Sequence, residues 1–268
     1  MKHAPAPNPE AQWFGYEQVA PDEKTAKVRD VFASVAENYD VMNDLMSGGL
    51  HRLWKDHLVS KMRPRAGEVI LDVAGGTGDI AIRCAKAIQR KVPPQSRLRE
   101  AQSSRGQITV CDINPAMLRV GKNKAIDQGW LNEIDWVAGN AEKMPVKSES
   151  VDLACIVFGL RNVTHIDNAL AEFFRVLKPG GRFYCMEFSP SVAKPLKKLY
   201  DLYSFSVLPW LGEKVANDRD SYQYLAESIR QFPAPDALKT RMEKVGFEQV
   251  HIERLMGGIA VIHSGWKI

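Results

Sequence analysis

The amino-acid sequence predicts an α/β protein built on a doubly wound, mostly parallel, seven-stranded sheet. Three observations predict it. From Glu68 onward, short apolar runs alternate with amphipathic helical stretches, the pattern of a parallel sheet covered by helices on both faces. The first run, EVILDVAGG, ends in a glycine turn. Two later runs end in Asp112 and Asn140, where such sheets bind ligands, beyond the carboxyl ends of their strands.

The elements follow in order. Residues 1–12 are proline-rich and polar and read as a flexible lead. Residues 13–66 are expected to form a helical cap over the site. There, Val28, Val31, Phe32, Val35 and Tyr39 recur at i, i+3, i+4, i+7 and i+11, so residues 22–46 are expected to be helical with one apolar face. Gly48-Gly49 interrupts the pattern, and a second helix is expected from His51 to Lys61, before Pro64.

Residues 67–268 are expected to form the main domain. Its strands are EVILDV, ITVCDI, EIDWVAG, VDLACIVFGL, GRFYCMEFS, QVHIERL and GIAVIHSGW. Helices are expected at IAIRCAKAIQRK, PAMLRVGKNKAIDQG, HIDNALAEFFRVL and PDALKTRMEKVGF. Pro115 at a helix start and Gly129 just past its end are the usual asymmetry. Residues 92–106 read as a surface insertion. The stretch from Lys86 to Arg105 holds six basic residues against one acid, Glu100, which suits a solvated loop or contact with anionic lipid or an acidic partner.

Composition bounds the function. A chain of 268 residues, 45% hydrophobic and 25% charged, needs neither disulfides nor metal to hold a core. The net charge of +4 is too mild to argue for nucleic acid, and no nucleic-acid partner is expected. No run approaches the roughly 18 apolar residues of a membrane span. Arg29 is the first arginine, so the opening residues lack the arginine-rich pattern of a transit peptide; a processed organellar protein has the same appearance. Cys84, Cys111, Cys155 and Cys185 lie far apart and are expected to be buried thiols. The histidines show no metal-ligand spacing, so no metal is expected.

The chemistry lies at three strand ends. In Asp72-Val73-Ala74-Gly75-Gly76-Thr77-Gly78, the glycines let a ligand approach the backbone. Thr77 offers a hydroxyl at a helix start, and Asp72 places a carboxylate near a ligand bearing an ammonium and a sulfonium. Asp112 can accept both hydroxyls of a ribose. It falls later than the about 20 residues of a compact dinucleotide unit, and the insertion accounts for the excess. Asn140-Ala141 can read an adenine edge. A dehydrogenase also fits GxGxxG/A over Gly76–Ala81. Asp72 beside a pyrophosphate and the segment LKPGG (Leu177–Gly181) count against that alternative.

LDVAGGTGDIA, CDINPAMLRVGK, GNAEKMP, FGLRNVTHIDNAL, RVLKPGGRF and ANDRDSYQYLAESIRQFP together resemble the ubiquinone/menaquinone biosynthesis C-methyltransferases, from about Phe14 to Ile268. FGLRNVT and NDRDSYQYLAESI are the more specific motifs. The resemblance implies a class I, Rossmann-like fold and an S-adenosylmethionine cofactor whose family contacts fall on Thr77, Asp112, Asn140 and Ala141; Asp72, Gly75, Gly76, Gly78 and Ile113 beside them are expected to complete the cofactor site. It implies methylation of a ring carbon of 2-methoxy-6-polyprenyl-1,4-benzoquinol, the basic insertion leaning to the mitochondrial, ubiquinone branch. A demethylmenaquinol acceptor, or a cofactor-binding scaffold in a quinone-biosynthesis complex, is the alternative. The family implies a homodimer, a multiprotein complex with other ubiquinone-biosynthesis proteins, and a peripheral place on the matrix side of the mitochondrial inner membrane. Bacterial members have a serine where Val157 stands, so one hydroxyl contact is missing.

Methylating carbon requires a nucleophilic ring aligned with the methyl group and stabilisation of a developing phenolate. Arg161, after the fourth strand, is expected to supply that charge, with Asn162 and Tyr39 orienting the ring or a water. An arginine that ties the loop to a neighbouring carboxylate is the structural alternative. Residues 190–232, rich in Leu, Tyr, Phe and Trp, are expected to be an inserted, substrate-binding helical region whose apolar residues either join the core or form a tunnel opening at a membrane surface. His51, Trp54, Tyr200, Tyr203 and Tyr222 are expected walls of the ring pocket.

Overall fold

The computed structural model of the chain describes residues 12–34, 43–44, 47–91, 107–130, 132–193, 195, 213 and 219–268. Tyr39, Tyr200, Tyr203, the insertion 92–106 and most of 190–218 lie outside the described residues.

A two-stranded antiparallel hairpin opens the described chain, β1 (Gln12–Phe14) and β2 (Glu17–Val19). The sequence predicts helix alone in this region. Helix α1 follows at Pro21–Ser34, and α2 at Leu50–Met62 buries His51, Trp54, Leu58, Val59 and Met62 on one face. Then come β3 (Ile70–Val73), α3 (Asp79–Lys91), β4 (Ile108–Asp112), α4 (Pro115–Asp127), β5 (Ile134–Ala138) and β6 (Val151–Val157). Helix α4 starts as its sequence requires. The Asn114 side chain accepts from the N–H groups of Ala116 and Met117, and Pro115 takes the first turn.

Helix α5 (Ile166–Val176) buries Ala169, Leu170, Phe173 and Val176. Strand β7 runs from Leu177 to Phe188, starting ahead of the expected GRFYCMEF. A register shift between Val151 and Leu153 of its partner β6 absorbs the extra residues. The chain closes with α6 (Arg219–Gln231), α7 (Pro235–Val245), β8 (Glu248–Leu255) and β9 (Ala260–Trp266). Helix α6, which contains the SYQYLAESI motif, falls within the helical region expected over residues 190–232, although its bounds were not read.

The seven strands run β5-β4-β3-β6-β7-β9-β8. β3 to β7 pair in parallel, and β9 joins β7 and β8 antiparallel. The chain winds outward from β3 to β5, then returns to β6 on the other side, which makes the β3/β6 junction the switch point. Strands β3 and β6 are buried along nearly their whole length, as parallel strands covered on both faces must be.

Period-two alternation splits their side chains between two cores. Leu153, Cys155, Tyr184, Met186 and Phe188 join Trp54, Leu58, Ile80, Tyr222 and Leu225 on one face. Ala154, Ile156, Phe183 and Cys185 join Leu170, Phe173, Leu238 and Met242 on the other. All four cysteines are buried and free. Among the described residues, no helix is long and apolar enough to cross a membrane, and no cluster of His, Cys, Asp or Glu is placed to hold a metal ion.

Candidate active site

At the carboxyl ends of β3, β4, β5 and β6 the loops meet α1 around an open cavity. Ala74 and Gly76 line it from the first loop, Asp112, Ile113 and Asn114 from the second, and Asn140, Ala141 and Glu142 from the third. Phe158, Gly159 and Asn162 close it after β6, and Thr25, Val28, Arg29 and Phe32 of α1 form the remaining wall.

Asp112 anchors this cavity. Its Oδ2 accepts the Gly76 N–H at 2.9 Å and its Oδ1 accepts the Asn114 N–H at 2.8 Å. Burial pushes its carboxyl above the ordinary value, and those two donors oppose the shift. Each oxygen retains a lone pair for a ligand hydroxyl. Gly76 and Gly78 hold positive φ of 53° and 71°. A Cβ on Gly78 would lie 2.4 Å from the Trp136 ring, so the turn needs glycine there for conformation and for space. Thr77 Oγ1 is buried with no hydrogen-bond partner among the described residues.

Helix α1 is fastened to the cavity rim. Thr25 and Thr164 share a hydroxyl hydrogen bond of 3.0 Å, and Lys24 Nζ donates to the Val163 carbonyl at 3.0 Å. Burial pulls the Lys24 pKa down to about 8. Glu142 Oε1 accepts the Thr164 N–H at 3.1 Å, and Asn140 Oδ1 accepts the Glu142 N–H at 2.9 Å. The adenine-reading loop expected from sequence is thus tied to α1.

Asp72 sits elsewhere. Its carboxyl lies beneath the turn, fully buried, accepting from the Ala81 N–H at 3.3 Å and the Cys155 thiol at 3.6 Å. It does not line the cavity. Burial raises its pKa to about 7, against 3.8 for the free group. A carboxyl that holds its proton more tightly when folded adds stability that is full below about pH 4 and is lost as pH rises through about 7. Asp72→Asn is therefore expected to remove this one group's contribution, so that Tm changes more favourably between pH 4 and pH 7 than in the wild type, read by thermal melts across that range. A variant retaining the full wild-type slope would contradict this account. Nearby, Lys55 Nζ pairs with Asp79 Oδ2 at 2.9 Å. Burial pushes Asp79 up, but Lys55 and Arg83 outweigh it and hold the carboxyl below its ordinary range.

Arg161 and Asn162 belong to a single 3-10 turn, Leu160–Asn162, after β6. The turn follows Phe158, whose φ is 56°. Arg161 NH1 donates to Glu187 Oε1 at 2.5 Å and to the Phe158 carbonyl at 2.7 Å, and its backbone N–H donates to Glu187 Oε2 at 3.3 Å. The guanidinium and the carboxylate are almost wholly buried. The arginine does tie the loop to a neighbouring carboxylate. Asn162 reaches the cavity wall, and its Oδ1 accepts from the Tyr224 hydroxyl at 2.9 Å. Val157 ends β6, buried beside Met186 in the ladder.

The expected ring-pocket residues divide. His51 is buried, its Nε2 2.8 Å from Asp44 Oδ1, and burial lowers its pKa. Trp54 packs edge-on to Phe188 at 6.1 Å. Tyr222 is completely buried in the first core. None of these three lines the cavity. Tyr224 and Glu187 were missed from sequence. A tyrosine two residues along one helix from Tyr222 and a glutamate in an apolar strand give no signal until the turn they grip is placed.

A family model for the ubiE/COQ5 methyltransferase family matches residues 20–267. The mitochondrial 2-methoxy-6-polyprenyl-1,4-benzoquinol methylase of Homo sapiens is 50% identical over 95% of this chain and 84% of its own. The protein of that name from Arabidopsis thaliana is 50% identical over 95% of this chain and 90% of its own. Among solved structures, an S-adenosylmethionine-dependent methyltransferase from Aquifex aeolicus aligns with a TM-score of 0.57 at 14% identity, covering 88% of this chain and 98% of that one. One from Thermotoga maritima aligns with a TM-score of 0.59 at 18% identity, covering 90% and 100%. The two structures share the fold, and the sequence matches extend over nearly the whole chain: it belongs to the ubiE/COQ5 methyltransferase family.

Proposed function

We propose that this methyltransferase binds S-adenosylmethionine in the α1-walled cavity and methylates a ring carbon of 2-methoxy-6-polyprenyl-1,4-benzoquinol in ubiquinone biosynthesis. One observation carries the acceptor: half of the residues are shared, over 95% of the chain, with relatives that bear that substrate in their name. The residues present fit the cofactor. Asp112 keeps lone pairs for a ribose diol and Asn140-Ala141 line the same cavity from the third loop, while the Thr77 hydroxyl, buried in the turn behind the wall, has no partner among the described residues. When bound, S-adenosylmethionine supplies an activated methyl group to a nucleophile in line with its carbon–sulfur bond.

The chain's part is to make the ring nucleophilic and keep water away. Asn162, on the cavity wall, donates to the ring oxygen that gains charge. Arg161 holds the same turn in place through its buried pair with Glu187; with a pKa above about 12 it does not take the proton itself. Tyr39, outside the described residues, is proposed to orient the ring or a water. A polyprenyl acceptor stays in a bilayer, which supports a peripheral site on the matrix face of the mitochondrial inner membrane, as a homodimer working beside other enzymes of the route.

The test offers purified protein a methyl-labelled donor with short-tailed benzoquinol and demethylmenaquinol side by side. Label is expected on the benzoquinol ring. Label on demethylmenaquinol alone would reassign the acceptor. Cofactor binding with label on neither would leave the scaffold.

A further inference from the structure

We propose that Tyr224 is a positioning residue, which turns the Asn162 amide so that its Nδ2 donors face the acceptor oxygen. This rests on the reading of the cavity as the site of quinol methylation.

In this structure the amide oxygen faces the tyrosine. Asn162 Oδ1 accepts from Tyr224 at 2.9 Å, and no other hydrogen bond of the Asn162 side chain occurs among the described residues. An amide whose oxygen is occupied presents two N–H donors at its other end. Such donors match an oxygen that gains negative charge, and repel none of its lone pairs. Without the tyrosine the amide is free to flip and present its own oxygen to the developing phenolate, which is repulsive.

Tyr224 is built to hold this orientation. Its ring stacks on Phe14 of β1 at 4.2 Å and 15°, and burial pushes its phenol well above the ordinary value. It stays a neutral donor throughout the working pH range. The hairpin is clamped to the same helix, since the Tyr16 N–H donates to Glu227 Oε2 at 3.0 Å. Lys27 pairs with Glu17 at 2.7 Å and lies 5.4 Å over the Phe14 ring. The charged groups that act on the Tyr224 hydroxyl are Arg161 and Glu187, and Tyr224→Phe leaves both in place.

Tyr224→Phe keeps the ring stack and removes only the hydroxyl. Its kcat with the short-tailed benzoquinol is expected to fall about tenfold. The acid limb of the kcat–pH profile should then move up by about one unit, because tenfold weaker phenolate stabilisation is one pKa unit. KM for the quinol and Kd for S-adenosylhomocysteine should change little. Unchanged kcat and profile would overturn the proposal. So would a fall in kcat with an unmoved acid limb, the mark of a structural effect alone. A second measurement needs no turnover: 4-nitrophenol titrated by absorbance on protein saturated with S-adenosylhomocysteine. The bound phenol is expected to ionise at lower pH on the wild type than on Tyr224→Phe, and equal values overturn the role of Tyr224. Failure of the wild type to methylate benzoquinol would instead fault the assigned reaction.

Discussion

Arg161→Met is expected to lower folding stability at pH 7 by about 3–5 kcal/mol, the cost of leaving a buried carboxylate without its partner. Glu187 is the reason. Its carboxylate takes the Arg161 NH1 at 2.5 Å and the backbone N–H groups of Arg161 and Phe188, in a site that is almost fully dry. Burial already pushes this carboxyl upward while Arg161 pulls it down. With the arginine gone, folded Glu187 binds its proton more tightly than the unfolded chain does, so the deficit should shrink as pH falls toward 5. Urea titrations at pH 7 and pH 5 measure both. Adding Glu187→Gln should recover much of the stability and none of the turnover. Arg161→Lys keeps the charge but loses the fork. It should stay folded and bind S-adenosylhomocysteine normally while losing most of its methyl transfer. Near-normal turnover in that variant would remove Arg161 from the mechanism.

Asp112→Asn is expected to weaken S-adenosylhomocysteine binding about 10- to 100-fold, from the loss of about 1.5–3 kcal/mol of hydrogen bonding to a charged acceptor. The substitution is nearly isosteric, yet its amide brings donors to a place already served by two. Gly76 N–H and Asn114 N–H both point at this side chain. One of them must then meet an N–H in place of an oxygen, so the glycine turn shifts and Tm falls as well. Ile113→Ala, which trims an apolar neighbour on the same cavity wall, should cost far less affinity. Isothermal titration of both variants decides the matter. Equal losses would show that the cavity binds by shape, and a wild-type Kd in Asp112→Asn would move the cofactor elsewhere.

Fold and cofactor loops were legible because each rests on local chemistry. A run such as ILDVAGG is strand, turn and helix start in any context. Strands β3, β4 and β6 and helices α4, α5 and α7 stand where alternation, Pro115 and Gly129 put them. The hairpin Gln12–Val19 was not read, and helix Arg219–Gln231 was read only as part of a helical region, without its bounds. Strands of three residues give too few alternations, whereas α6 does carry an apolar face in its sequence, at Tyr222, Leu225, Ala226 and Ile229. The antiparallel insertion of β9 between β7 and β8 is likewise a matter of long-range pairing.

The sequence by itself determined the family and brought Asp112, Asn140 and Asn162 to one cavity wall, since spacing along a strand–turn–helix unit fixes which side chains reach a strand end. The tertiary structure decided what those residues do there. It moved Asp72 under the turn, took His51 and Tyr222 out of the cavity wall, and gave Arg161 to Glu187 and Asn162 to Tyr224. These partners lie 26 and 62 positions apart, and no local pattern encodes a contact across such a distance. A buried charge or amide must find its partner wherever the fold delivers one, and only the packed sheet shows which partner that is.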